Sequence, residues 1–278
     1  MERYEKTGYL DGDYRIFHIQ DNHRRDFDFH YHDFNKIILF LRGNVTYCIE
    51  GKSYDLKPYD LVLVKAGEVH RPLIHDDSTY ERIIMYISPE FIASYRENDY
   101  DLSYCFMQSF AEHSNVLRMA DMKQSKLYQV MSELEHSFLE EDYANELYRN
   151  TLFVEFMIHL NRAAIHNSLH YMVAFSSNEK ILNVLSYING HLTEELSIEL
   201  LSEQFFTSRY YLMHSFKEQT GYTIGNYLST KRLLYARELI LGGASMTDAC
   251  FACGFKNYST FSRAYKKQFK ESPRELLY

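Results

Sequence analysis

The sequence predicts an α+β protein: an N-terminal β-barrel with a helical hairpin, then an all-α C-terminal domain of two helix-turn-helix units. Three observations carry this prediction. Residues 10–90 hold short runs of β-branched and aromatic residues separated by turn residues. Residues 122–166 place apolar side chains at helical spacing. Residues 200–273 write one short-helix, turn, longer-helix pattern twice.

Bulk properties bound the answer. At 278 residues the chain exceeds one average domain, and 46% hydrophobic content excludes a disordered chain. The opening MERYEKTGYLDGD lacks the apolar core of a signal peptide. Four cysteines (Cys48, Cys105, Cys250, Cys253) without a secretion-type start point to a reducing cytoplasm. The longest apolar run, near Leu152–Leu160, is broken by Glu155 and His159 and is too short to cross a membrane. The net charge of −8 is uneven: residues 176–278 hold 12 Lys and Arg against 10 Asp and Glu, leaving 18 against 28 in residues 1–175. An acidic part precedes a mildly basic one.

In chain order, Ile37–Leu41, Val45–Glu50, Leu61–Val64 and Arg82–Ile87 read as strands, with turns at Gly43-Asn44, Gly51-Lys52, Pro58-Tyr59-Asp60 and Ala66-Gly67. Short strands at this spacing suggest a small barrel or jelly roll. Ser88-Pro89 pairs an N-cap with an N1 proline, so short helices are expected over 88–100 and 102–112. Leu127, Val130, Met131, Leu134 and Phe138 mark a helix within Met122–Glu140. Asn145–His166 is a second, apolar on most sides. The two helices form either a hairpin that binds a partner or a cover for the open side of the barrel. Asn167–Ser177 lacks periodicity and reads as a linker, after which Ser176-x-x-Glu179 is a capping box for a helix over Asn178–Asn189. Ser197 caps Ile198–Phe205, Ser208 caps the next helix and Gly221 ends it. Thr223–Leu241 is a connecting helix. Ser245-x-x-Asp248 and Asn257 start the second unit's helices, and Ser272-Pro273-Arg274-Glu275 starts a closing helix.

The copies LLSEQFFTSRYYLMHSFKEQTG and DACFACGFKNYSTFSRAYKKQF align on Leu212 and Phe261. Phe216 then falls on Tyr265, Lys217 on Lys266, His214 on Arg263 and Ser208 on Asn257. The match is carried by Ser208, Leu212, Phe216, Lys217, Gly221, Tyr227, Arg232, Leu233, Ala236, Gly254, Phe255, Phe261, Ser262, Arg263, Lys266 and Pro273. Over roughly the last hundred residues the chain closely resembles the AraC/XylS-type DNA-binding domain of bacterial transcription regulators. Four positions depart from that pattern: His214 where arginine is frequent, Ser202 and Cys250 where alanine is usual, and Lys270 where glycine is common. HYHDFNKIILFLRG and YDLVLVKAGEVHRP resemble the cupin-type sensor domain that often precedes such a module, through His30, His32, Gly43, Asp60, Gly67, His70 and Pro72.

A recognition helix reads base edges from its N-terminal turns while basic and polar groups hold phosphates. With Leu212 and Phe216 inward, Arg209, Tyr210, Met213, His214 and Lys217 form the exposed face of the first helix. In the second that face is Tyr258, Ser259, Ser262, Arg263 and Lys266. Arg263 suits guanine O6 and N7, because its guanidinium donates two parallel hydrogen bonds. Lys217, Lys256, Lys266 and Lys267 suit phosphates. A connecting helix of about 19 residues spans roughly 28 Å, so one chain is expected to read a long, non-palindromic site through successive major grooves.

His30-x-His32 with His70 is a three-imidazole set that suits a transition metal. Cupin enzymes with this layout usually add a glutamate where this chain has Lys36, whose ammonium would repel a cation. No metal and no cofactor are therefore assigned. The competing reading is a polar pocket for a small organic effector, with His30, His32, Lys36, Tyr47 and His70 as ligand-binding candidates. Satisfied structural histidines are the third. Cys250-x-x-Cys253 has no second Cys/His pair nearby and reads as structural. No phosphate loop or nucleophile elbow occurs, so no catalytic residue is assigned.

The expected organisation is a cupin-like sensing domain at 1–112, a helical dimerisation hairpin at 113–167, a linker at 168–177 and the double helix-turn-helix at 178–278. The expected partners are promoter double-stranded DNA, a small-molecule effector (a sugar is suggested by the resemblance), a second copy of the chain and RNA polymerase, with no membrane and a cytoplasmic location. Two alternatives stay open: a metal-dependent cupin enzyme fused to a DNA module, and a ligand-free regulator with a scaffold N-terminal domain.

Overall fold

The computed structural model describes residue 10 and residues 12–139, 141–166, 168–175 and 178–277. They fall into two units, one ending at Phe175 and the other formed by the residues beyond it. Among the described residues no helix is long and apolar enough to cross a membrane.

The first unit begins with strands β1 (Tyr14–Asp21), β2 (Asn35–Arg42), β3 (Val45–Ile49), β4 (Lys52–Asp55), β5 (Leu61–Val64), β6 (His70–Ile74) and β7 (Tyr80–Ile87). Helix α1 (Pro89–Ala93), strands β8 (Arg96–Glu97) and β9 (Tyr100–Asp101), helix α2 (Tyr104–Ala111) and strand β10 (Val116–Arg118) follow. Helices α3 (Lys126–Ser137) and α4 (Asn145–Ile165) and strand β11 (His170–Tyr171) complete it. The strands form a six-stranded sheet, β1-β7-β2-β5-β10-β11, and a three-stranded sheet, β4-β3-β6. The expected barrel is thus realised as two sheets around a shared core, with no closed cylinder of backbone pairing among the described residues.

The large sheet is buried on both faces, which explains why its strands read as unbroken apolar runs. Side chains alternate across a strand. Ile37, Leu39, Leu61, Leu63, Ile83, Met85 and Ile87 enter one core with Phe153, Phe156, Met157 and Leu160 of α4. Ile38, Phe40, Val62, Val64 and Ile84 enter another with Val45, Tyr47, Ile49 and Ile74 of the small sheet. A one-residue slip would exchange the two cores, so the register is strongly specified. Helices α3 and α4 run antiparallel: Lys126 pairs with Glu155 at 3.4 Å, while Arg149 donates to the Ser137 carbonyl at 2.8 Å.

The segment 88–100 departs from expectation. Ser88 caps α1 by accepting from Phe91 N, with Pro89 in the first turn, but the helix stops at Ala93. A hairpin replaces its second half, Glu97 pairing with Tyr100 around Asn98-Asp99, residues whose short polar side chains favour tight turns. Likewise Met122–Gln124 is a 3₁₀ turn, and α3 begins only after Ser125, which caps Tyr128 N.

The second unit is all helical: α5 (Glu179–Gly190), α6 (Ile198–Gln204), α7 (Arg209–Thr220), α8 (Ile224–Leu241), α9 (Met246–Ala252) and α10 (Tyr258–Phe269). Asn178 caps α5 by accepting from Ile181 N. The expected cap Ser176 and linker residues Asn167 and Ser177 lie outside the described residues. Ser197, Ser208, Ser245 and Asn257 cap their helices through side-chain acceptance, as the sequence predicts, and Thr223, expected as the first residue of its helix, caps α8 in the same way. The chain end forms a 3₁₀ turn, Glu275–Leu277, in place of the expected helix. Helix α8 is a spine. Near its start the Tyr227 ring meets Phe216 of α7 edge-on at 5.4 Å. Leu233, Ala236 and Ile240 join Ala249, Cys250 and Cys253 of α9 and Phe261 and Tyr265 of α10. Cys250 and Cys253 pack in this core as free thiols.

Candidate nucleic-acid interface and polar cluster

Each recognition helix is anchored by the apolar pair that the repeat predicts. Leu212 and Phe216 of α7, and Phe261 and Tyr265 of α10, are all fully buried. That anchoring turns the remaining surface outward. Arg209, Tyr210, Met213, His214 and Lys217 are exposed on α7. Tyr258, Ser259, Arg263, Lys266 and Lys267 are exposed on α10, Lys256 just before it, and Ser262 is half-buried. The Tyr210 and His214 rings stack at 5.9 Å. Two candidate cations already hold acids: Arg209 pairs with Glu199 at 2.9 Å and Lys256 with Glu195 at 2.5 Å. Exposed pairs of this kind contribute little because solvent screens them, so they offer little resistance to a phosphate. Arg263 Nε donates weakly to the Ser259 carbonyl at 3.3 Å.

Two exposed neighbours escaped the sequence reading, Tyr211 and Thr260. Each directly precedes a buried anchor, Leu212 or Phe261, and that placement was the available signal. The Tyr211 hydroxyl accepts from Asn178 Nδ2 at 2.7 Å.

Two turns and one arginine hold the units in shape. Gly254 adopts φ 88° where a Cβ would lie 2.9 Å from the Thr193 carbonyl oxygen. The residue in the matching turn of the first unit is Phe206, at φ 48°. Arg232 of α8 donates to the Leu192 carbonyl at 2.7 Å and also to that of Glu194, binding α8 to the loop before α6.

In the first unit His30, His32, Lys36, Tyr47 and His70 come together. Backbone bonds align His30 beside β6: His30 N donates to the His70 carbonyl at 3.1 Å and His70 N to that of His30 at 2.8 Å. The ring centroids of His30 and His32 lie 4.5 and 4.9 Å from that of His70, and the Tyr47 ring stacks on His70 at 6.0 Å. The cluster sits deep in the unit: His70 is 0%, His32 3% and Lys36 6% exposed, and His30 alone is half-buried. The Nδ1 of His30 donates to the Asp28 carbonyl at 2.8 Å and that of His70 to the Glu68 carbonyl at 2.9 Å. A carbonyl only accepts, so both Nε2 atoms keep their lone pairs. Burial drives His30 down to about 4 and His70 well below its ordinary value.

Among the described residues, these three histidines are the one group of His, Cys, Asp or Glu side chains close enough to share an ion, their donor atoms within 4.8 Å. The set fits a divalent cation poorly. The Lys36 amine stands 3.5 Å from His70 Nε2, and no carboxylate joins the cluster to offset the ion's charge.

A β-rich ligand-binding unit followed in one chain by two helix-turn-helix units defines a DNA-binding transcription regulator. The chain belongs to the AraC-like family: the model of the AraC-like ligand binding domain matches residues 14–157, and that of the helix-turn-helix domain matches 201–277. It is 25% identical over 256 residues to the HTH-type transcriptional activator RhaS of Shigella sonnei, covering 90% of this chain and 87% of that protein. RhaS of Escherichia coli K12 matches over the same length at 25%. Among solved structures, an apo form of ToxT from Vibrio cholerae aligns at 16% identity and TM-score 0.40, covering 96% of this chain and 97% of ToxT. The DNA-binding domain of AdpA, a global transcriptional factor, aligns at 25% identity and TM-score 0.34, covering 34% of this chain and 87% of that one.

Proposed function

We propose that this regulator reads one long, non-palindromic promoter site with both recognition helices of a single chain. The carrying observation is the matched pair of exposed faces on α7 and α10, each fixed by two buried aromatic or aliphatic anchors. Arg263 reads guanine, His214, Tyr258 and Ser259 contact base edges, and Lys217, Lys256, Lys266 and Lys267 hold phosphates. Helix α8, with 18 residues, is roughly 27 Å long, a spacer suited to adjacent turns of one duplex. Selection of bound sequences from a random duplex pool, followed by footprinting, tests this. Two protected major-groove segments about one helical turn apart are expected. Failure to enrich any sequence would remove the proposal.

The finer assignments belong to the same reading. Residues 1–112 sense a small molecule at His30, His32, Lys36, Tyr47 and His70, residues 113–167 pair two chains, and 178–278 bind DNA. The chain acts in the cytoplasm as an activator engaging RNA polymerase and has no catalytic activity of its own. RhaS, the relative named above, is itself an activator, and this supports the direction of control. Effector binding shifts the population between two presentations of the DNA-binding unit.

A further inference from the structure

A lysine inside a protein ordinarily meets a carboxylate, because an unpaired buried charge is costly. Lys36 does not. Among the described residues its Nζ makes one hydrogen bond, to His70 Nε2 at 3.5 Å. The face of the Tyr86 ring lies 5.8 Å away. The charge acting on it, Arg82, is also cationic and is already held by Asp21 at 2.5 Å. Burial first, and Arg82 second, pull Lys36 down to about 7. Near neutral pH about half of such amines are uncharged.

A desolvated, uncharged amine is a nucleophile toward carbonyl carbon. A proton carrier stands beside it: His70 keeps its Nδ1–H on the Glu68 carbonyl, which leaves Nε2 as a lone pair toward Lys36. His30 is the half-buried member of the cluster and the one nearest solvent.

We propose that Lys36 is a covalent anchor in the effector site, its amine condensing reversibly with the carbonyl group of a small aldehyde or ketone to form an imine. The proposal rests on the reading of this cluster as the effector site. Nζ attacks the carbonyl carbon, a C–N bond forms, and the carbonyl electrons move to oxygen. His70 relays an Nζ proton to that oxygen, giving a carbinolamine. The remaining Nζ proton, again through His70, goes to the hydroxyl, which leaves as water while the C=N bond forms. Amine and carbonyl give imine and water, with no oxidant or reductant, and hydrolysis reverses the step. The effector would be a reactive carbonyl compound, such as an open-chain reducing sugar or a keto acid, captured without being consumed.

The test uses the full chain, glycolaldehyde and sodium cyanoborohydride, with adducts located by peptide mass spectrometry. A hydroxyethyl adduct is expected on Lys36 more than about tenfold faster than on the exposed Lys65, because burial favours the uncharged, nucleophilic form of the Lys36 amine. Lys36→Met should remove it while keeping the melting temperature near the parent's. His70→Gln, if its melt shows it folded, should slow the adduct without affecting Lys65. Adducts on surface lysines alone overturn the imine. A metabolite screen that stabilises parent and Lys36→Met equally leaves the effector site standing without its anchor. No adduct and no stabilising metabolite count against both. Stabilisation by Zn2+ alone, lost in His30→Ala, would make the cluster a metal centre and overturn the proposal.

Discussion

Gly221 and Lys270 close the two recognition helices at matching positions, both in the left-handed region, φ 76° and 66°. Glycine adopts that conformation freely, whereas a side chain there costs about 1 kcal/mol. Lys270→Gly is therefore expected to stabilise the protein by about 1 kcal/mol in thermal unfolding. The bond from its Nζ to the Lys267 carbonyl at 3.2 Å is exposed and offsets little. Gly254 is the converse. Gly254→Ala combines the same strain with a Cβ placed 2.9 Å from a carbonyl oxygen, for a loss of more than about 2 kcal/mol. Equal stability of that variant and the parent would refute the close approach. At the DNA face, Arg263→Ala should weaken specific sites by about 1–3 kcal/mol, whereas Lys266→Ala should weaken all sequences alike and reduce the salt slope by about 1. If both behave as the parent in a gel-shift salt series, α10 is not the reading helix. The resemblance singled out Lys270 as standing where glycine is common, and its positive φ supplies the physical reason. The sequence could not foresee that Arg209 and Lys256 meet Glu199 and Glu195, since the pairing acids lie on separate stretches of chain.

At the scale of elements, β1, β7 and α3 are pinned by one side chain. His18 on β1 hydrogen-bonds Glu135 of α3 through Nδ1 at 2.6 Å and Glu81 of β7 through Nε2 at 2.8 Å. Both ring nitrogens face acids, so the doubly protonated ring is favoured. Burial opposes that charge, but the hydrogen bonds to Glu135 and Glu81 outweigh it and raise the pKa. A histidine raised in the folded state stabilises fully below its unfolded value, about 6.5, and the contribution is lost as pH rises through the folded value. The melting temperature of the parent should accordingly fall relative to that of His18→Gln as pH rises over that window. Parallel curves would show that the pin contributes nothing. Helix caps were legible because an N-cap is a local bond between a side chain and a nearby N–H, as Ser208 and Asn257 illustrate. β1, β4, β6, β10, β11 and the β8–β9 hairpin were not named in advance. Lys52–Asp55 and Arg96–Glu97 carry polar side chains, and only their pairing partners make them strands.

For the molecule as a whole, the proposed pairing of two chains places its contact on the α3–α4 hairpin. Its inner face covers the large sheet, yet its tip leaves Leu139, Tyr143 and Leu147 exposed by 79%, 95% and 68%. Apolar groups of this size at one end of a hairpin suit a second copy of the chain. Sedimentation velocity should find a dimer for the parent and a monomer for Leu147→Asp combined with Tyr143→Ser. A monomeric parent would assign the hairpin wholly to covering the sheet. Sequence by itself determined the duplicated helix-turn-helix, its caps and its anchors, because helical periodicity and capping are written within a dozen neighbouring residues. It also determined that the N-terminal part is β-rich. Tertiary structure alone decided that the strands make two sheets and that Lys36 lies against His70 without a carboxylate. Those facts depend on which distant segments become neighbours, and burial, not residue type, then sets the charge that each buried group can carry.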